Sequence, residues 1–269
     1  MIADDFVRQY HAIQVPEFIP NGGPTKLYGV GAIDTPVREY SNKLYPSRHG
    51  ISYSDRVALK DVLLSFFAKR AKETDSGVYK YGSEYVLPCS NRPVQGFEKK
   101  SFMTAFGGKG SPSLLRDFIQ LFNYWRGYQL RIKGIKVNEI AFLVEQYLGT
   151  DCNGFVGNYL AHKYPHLGVD PNNPEETYHN KAKKGGVIRK SLSEVAEDDI
   201  VIFKGHIGII SSVLTRTAST AMVRFSESRS RHVKYGGPQT NTLKLEYSSG
   251  SFQLEAREKV LDLIRIPGM

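Results

Sequence analysis

The chain has 269 residues, enough for one large domain or two modest ones with a sizeable core. Its 36 Lys and Arg outweigh 27 Asp and Glu for a formal charge of +9, which suits an anionic partner, although no motif that reads nucleic acid accompanies it. Two cysteines exclude a disulfide framework, and the lack of any apolar run of about 18 residues excludes a transmembrane segment.

The first residues, Met1-Ile2-Ala3-Asp4-Asp5-Phe6, lack the basic-then-apolar layout of a signal peptide. Synthesis in the cytoplasm is therefore expected, with any delivery to the cell envelope by a leaderless route. Residues 1–50 are rich in Pro, Gly and Tyr, and Val15 to Pro24 reads as a turn-rich connector. Leu27 to Ala32 reads as a short strand or a tight backbone crossing; its Gly-Val-Gly is no dinucleotide fingerprint. Ser52-Tyr53-Ser54-Asp55 opens an amphipathic helix whose apolar face is Val57, Leu59, Val62, Leu63, Phe66 and Phe67. Core packing with a solvated basic face accounts for it.

Tyr79 to Leu87 reads as extended, and Pro88 to Pro93 as a turn that makes Cys89 structural or incidental. Phe106 to Ser111 is glycine-rich and basic but lacks the ending of a phosphate loop. Ser111 then caps a helix with Leu114, Leu115, Phe118, Leu121, Phe122 and Trp125 inward. Val137 to Leu148 forms a further helix, stopped by Gly149.

Gly149-Thr150-Asp151-Cys152-Asn153-Gly154-Phe155-Val156 opens the next helix, with Asp151 as N-cap and Phe155, Val156, Tyr159 and Leu160 at helical spacing. Cys152 falls in its first turn, where orphan N–H groups and the helix dipole favour a thiolate and can receive an oxyanion. A lone cysteine on an apolar helix is ordinarily an inert core residue. A second segment argues otherwise: Asp198-Asp199-Ile200-Val201-Ile202-Phe203-Lys204-Gly205-His206-Ile207-Gly208-Ile209 reads as two strands meeting at a Lys-Gly turn, with His206 opening the second. Residues 166–190 between them form a long polar loop, the length of which suggests that it borders a substrate groove. Thr220 to Phe225, Asn241 to Tyr247 and Val260 to Ile266 supply further strands.

Asp-Cys-Asn-Gly-Phe-Val followed by Asp-Ile-Val-Ile-Phe-Lys-Gly-His-Ile-Gly-Ile resembles the NlpC-like, papain-like cysteine endopeptidases and amidases of bacterial cell walls. The resemblance runs from Val137 to Ser212, with a looser continuation to about Ser228. It implies an α+β fold: a papain-like core of helices on an antiparallel sheet over residues 134–269, behind a helical, loop-rich region over 1–133. It also implies a cysteine hydrolase with Cys152 as nucleophile and His206, the best placed of seven histidines, as general base. The family's third member is a polar residue on the following strand; alternation favours Glu227, on the face of Val223 and Phe225, with Ser226 as the alternative.

The Cys152 N–H, with a side chain near Asp151, would meet the oxyanion. Of the family's Tyr-x-Trp-Gly-Gly segment only Tyr147-Leu148-Gly149 remains, which makes Tyr147 the residue standing in the family's tyrosine position. Asp198 stands where the family has a glycine. The implied reaction is amide cleavage through an acyl-enzyme in peptidoglycan stem peptides, with no cofactor and no metal. Deamidation or acyl transfer on a protein or lipid target is the alternative, as is a degenerate wall-binding module. No pattern identifies a cognate inhibitor or delivery protein.

Overall fold

The computed structural model describes residues 1–16, 29–33, 54–55, 57–63, 79–81, 84–86, 93–94, 104–116, 118–119, 122, 144, 148–171, 185–229, 237–255 and 259–269. The chain divides into two compact units, one formed by Met1–Tyr10 with Thr150–Met269, the other by His11–Gly149. Each contains helix and strand, so the fold is mixed α+β.

In the His11–Gly149 unit, β1 (Ile13–Pro16) pairs antiparallel with β2 (Gly29–Ile33). Val15 and Pro16 therefore belong to a strand rather than to the expected connector, and the glycine-rich segment after Tyr28 is its partner. β3 (Tyr79–Tyr81), β4 (Glu84–Val86) and β5 (Pro93–Val94) make a three-stranded antiparallel sheet. Helical residues 57–63 bury Leu63 but leave Val62 48% exposed, so Val62 lies off the apolar stripe that the spacing gave it. Ser111 caps residues 112–116 as expected, its Oγ accepting from the Leu114 N–H at 3.2 Å. Leu115, Phe118, Ile119 and Phe122 are buried behind it. Leu121, Trp125, Cys89, Tyr147 and most of the helix expected over 137–148 lie outside the described residues.

The other unit is built on a seven-stranded, wholly antiparallel sheet in the order β11-β10-β9-β8-β7-β12-β6. Its strands are β6 (Val187–Ile188), β7 (Ile200–Phe203), β8 (His206–Arg216), β9 (Thr220–Arg229), β10 (Gly237–Ser248), β11 (Ser251–Leu254) and β12 (Asp262–Arg265). The run Ile-Val-Ile-Phe makes β7 a strand buried at every position. Its two-residue connection to β8, Lys204-Gly205, puts Gly205 at φ +72, where a residue with a Cβ is strained. Val201, Phe203, Ile210, Val223, Phe225 and Leu245 form the centre of the apolar core on one side of the sheet.

Helix α1 (Ala3–Arg8), which no local periodicity marks, inserts Phe6 among aromatic rings of the second helix, α2 (Cys152–Lys163). The Phe6 ring lies 6.1 Å from Phe155, 5.6 Å from Tyr159 and 5.7 Å from His162. His162 is thereby occupied in packing. Asp4 adds an ion pair to Arg224 on β9 at 2.7 Å. Among the described residues, no helix is long and apolar enough to cross a membrane.

Two adjacent aspartates lead into β7 and lock it in place. Asp198 adopts φ +71, tolerable for Asp and otherwise a glycine conformation. Its carboxylate accepts from Tyr159 and Tyr164 hydroxyls at 2.5 Å each and from Lys163 at 2.6 Å, tying α2 to the sheet. A glycine would relax the backbone and lose all three.

Candidate active site

The Asp151 side chain begins the site. Its backbone is extended (φ −87, ψ 174), and its Oδ1 accepts from the Gly154 N–H at 2.6 Å, the N-cap bond that Asp is suited to make. Burial pushes the carboxyl up to about 7, against hydrogen bonds from the Gly154 and Asn153 N–H groups that act to lower it. Asp151 thus spends its acceptor capacity on the second and third residues of α2. The N–H of Cys152, the first residue of α2, is left among the orphan donors of the first turn.

Four apolar side chains, Phe155, Val156, Tyr159 and Leu160, are fully buried and fix the axis of α2. The residue just before Asp151 is tied to the sheet, because Ser228 on β9 donates its hydroxyl to the Thr150 carbonyl at 2.6 Å. Tyr10, fully buried after α1, hydrogen-bonds to the Thr150 side chain, and its hydroxyl is raised well above the ordinary range chiefly by burial. The segment that carries the sulfur is therefore held from the helix, from β9 and from the N-terminal decapeptide.

His206 opens β8 directly after the Gly205 turn, opposite Phe203, whose ring centroid lies 5.9 Å from the imidazole. Gly208, two residues on, leaves room for Phe225, since a Cβ there would sit 2.1 Å from the ring's Cζ. The imidazole consequently stands on a packed apolar wall. Its Nε2 lies 2.7 Å from Glu227 Oε2, and the Cys152 side chain also acts on the ring to favour its charged form. Burial disfavours the charged ring, but Cys152 and then Glu227 outweigh it and push His206 up to about 9.

Glu227 is reached because register pairs it with Gly208, so that it sits diagonally from His206 on the same face of neighbouring strands. It is completely buried, and the Arg229 guanidinium stands 3.8 Å from the same carboxylate oxygen. Ser226 points elsewhere, its hydroxyl bonded to Ser211 and, at 2.7 Å, to Thr240. Of the two residues considered beside the base, it is Glu227 whose side chain meets the imidazole. One strand thus fixes both halves: Ser228 anchors the chain before Cys152, and Glu227, on the other face, orients His206.

His206 is thus hydrogen-bonded to buried Glu227 and influenced by the Cys152 side chain, with Asp151 shaping the turn that holds the sulfur. Thr150, Tyr10 and Ser228 carry no signal of these roles in the sequence, and Arg229, which composition groups with Arg231, His232 and Lys234 as an exposed basic loop, instead ends β9 with its side chain only 15% exposed. The arrangement can move a proton between sulfur and imidazole while a buried carboxylate holds the ring. Alkylation by iodoacetamide at neutral pH is expected to be faster at Cys152 than at Cys89 and to slow at Cys152 in His206→Ala. Equal labelling of the two cysteines, or no effect of the substitution, would contradict a thiol activated by this ring. The chain matches no known family model, no curated protein and no solved structure.

Proposed function

We propose that the protein is a cysteine hydrolase of the NlpC-like, papain-like type that cleaves an amide bond in peptidoglycan stem peptides. The observation that carries this reading is His206 held 2.7 Å from buried Glu227 while its charged form is favoured by Cys152 at the start of α2. The two halves of the sequence resemblance, specific only in combination, fall on Cys152 and His206, and the antiparallel sheet beside α2 agrees with a papain-like core.

In this mechanism the Cys152 sulfur attacks the carbonyl carbon, and the Cys152 N–H meets the oxyanion. Protonated His206 gives its proton to the leaving amine as the carbon–nitrogen bond breaks, leaving a thioester. Neutral His206 then takes a proton from water, hydroxide adds to the thioester, and the acid leaves as sulfur regains its initial state. Glu227 keeps the ring in one orientation throughout and stabilises its charged form. The net charge of +9 favours association with an anionic wall polymer.

The test is digestion of purified peptidoglycan by wild-type protein and by Cys152→Ala, with released muropeptides read by mass spectrometry. New amine ends from the wild type alone are the expected result. Wild-type protein that binds peptidoglycan as well as Cys152→Ala does, and releases nothing, would favour a binding module instead.

A further inference from the structure

Beside the His206–Glu227 pair lie two side chains, Arg229 and Gln239, for whose donors no hydrogen bond is made among the described residues. Gln239 stands directly across from Glu227 in the β9–β10 ladder, and Gly237 across from Arg229. Arg229, Glu227 and Gln239 therefore share one face of two adjacent strands, and His206 continues that row on β8. The Gln239 Nε2 is buried and has no hydrogen-bond partner among the described residues. A buried donor left in that state is costly unless something supplies an acceptor. Only 15% of the Arg229 side chain is exposed, and its ion-pair partner Glu227 stands at 3.8 Å, beyond hydrogen-bond reach. Neither feature serves the proton transfer described above.

We propose that Arg229 and Gln239 form a subsite for a carboxylate of the substrate, next to the Cys152–His206–Glu227 site. The chemistry selects the ligand. A guanidinium offers only donors, in a planar fork that matches a carboxylate, and the free end of Gln239 is likewise a donor. A neutral carbonyl would satisfy one of them, whereas two oxygens sharing a negative charge satisfy both. Glu227 is the one carboxylate already facing this patch, and protonated His206 and Arg229 offset its charge. The subsite rests on the hydrolase reading and sharpens it: the preferred substrate has a free carboxylate beside the amide that is cut.

The experiment uses two synthetic stem tripeptides that differ only in a free carboxylate or a carboxamide on the residue adjoining the scissile bond. Their binding to the full-length Cys152→Ala protein is measured by calorimetry, which requires no turnover. The free acid is expected to bind at least tenfold more tightly, and the preference is expected to collapse in Arg229→Gln and in Gln239→Leu. Arg229→Lys, which keeps the charge and loses the fork, should recover part of it. In otherwise wild-type protein the same substitutions should raise KM for the acid at least tenfold more than KM for the carboxamide. A structural role for Arg229, acting through Glu227, would instead lower kcat for both peptides alike.

Equal binding of the two peptides, a preference that survives both substitutions, or no binding of either would overturn the subsite. Peptidoglycan digestion by the wild type separates the levels. Hydrolysis without discrimination removes the subsite alone, whereas no hydrolysis removes the enzyme reading beneath it.

Discussion

Glu227→Gln is expected to lower kcat by roughly 10²- to 10⁴-fold, with KM nearly unchanged and the fold retained. The carboxylate is completely buried and 2.7 Å from His206 Nε2, so it fixes which ring nitrogen holds hydrogen. A carboxamide of the same shape can turn its NH2 toward that nitrogen, which reverses the tautomer, and it carries no charge to steady an imidazolium. His206 reaches about 9 against the opposing effect of burial because Cys152 and Glu227 both favour its charged form. The wild-type rate should therefore fall on the alkaline side near pH 9, and in Glu227→Gln that limb should move to lower pH.

The stability linkage has the same sign. A histidine raised from 6.5 to about 9 contributes stabilisation that is complete below about 6.5 and is lost as pH rises through 9. Asp151, raised from 3.8 to about 7, holds its proton longer when folded, and that contribution fades between those two values. Thermal melting should accordingly weaken from neutral toward alkaline pH, and Glu227→Gln should flatten the part above pH 6.5. A variant with kcat within threefold of wild type, or with an unmoved alkaline limb, would remove Glu227 from the proposed mechanism.

Which parts of this site can be read from the chain follows from where each signal resides. Asp151-Cys152 and the Ile200–Gly208 hairpin are local: an N-cap, helical spacing, β-branched runs and a Gly turn each act within a few residues, and those elements appear where the spacing puts them. Strand β9 is less legible. Alternation predicts its end near Phe225, yet it continues through Ser226, Glu227, Ser228 and Arg229, because these polar groups find partners on both faces of the sheet. Propensity cannot distinguish a polar strand end from a polar loop when partners come from distant segments.

Helix α1 is invisible for a related reason. Its six residues are too few for isolated helicity, and it is held by aromatic side chains that lie some 150 residues away in α2. Gln239 acquires meaning only from its register opposite Glu227, a relation with no trace in the residues around it.

Asp199→Ala should be the most destabilising single change outside the apolar core, at about 3 kcal/mol or somewhat more. Its carboxylate is completely buried and accepts two parallel bonds from Arg189, both 2.9 Å, as well as the Ala196 N–H at 2.8 Å. Arg265 on β12 approaches the other side at 3.4 Å. One anion thus joins the entry to β7 with β12 and with the residue that follows β6, where β12, some sixty residues on, lies between the other two in the sheet. Truncating it strands two guanidinium groups near apolar strands, and the loss of a buried partner costs more than the pair itself contributes. Arg265→Ala removes the longest of these contacts together with bonds to the Glu197 and Met269 carbonyls, each 3.0 Å, but from a more exposed side chain and without stranding a buried charge, so its cost should be smaller, about 1–2 kcal/mol. The order of the two melting temperatures is the decisive quantity: Asp199→Ala should melt roughly 5–10 °C below wild type, and Arg265→Ala within a few degrees of it. Equal melting of the two variants would mean that Arg189 and Asp199 are solvated in solution and that β6 is held by its backbone ladder alone.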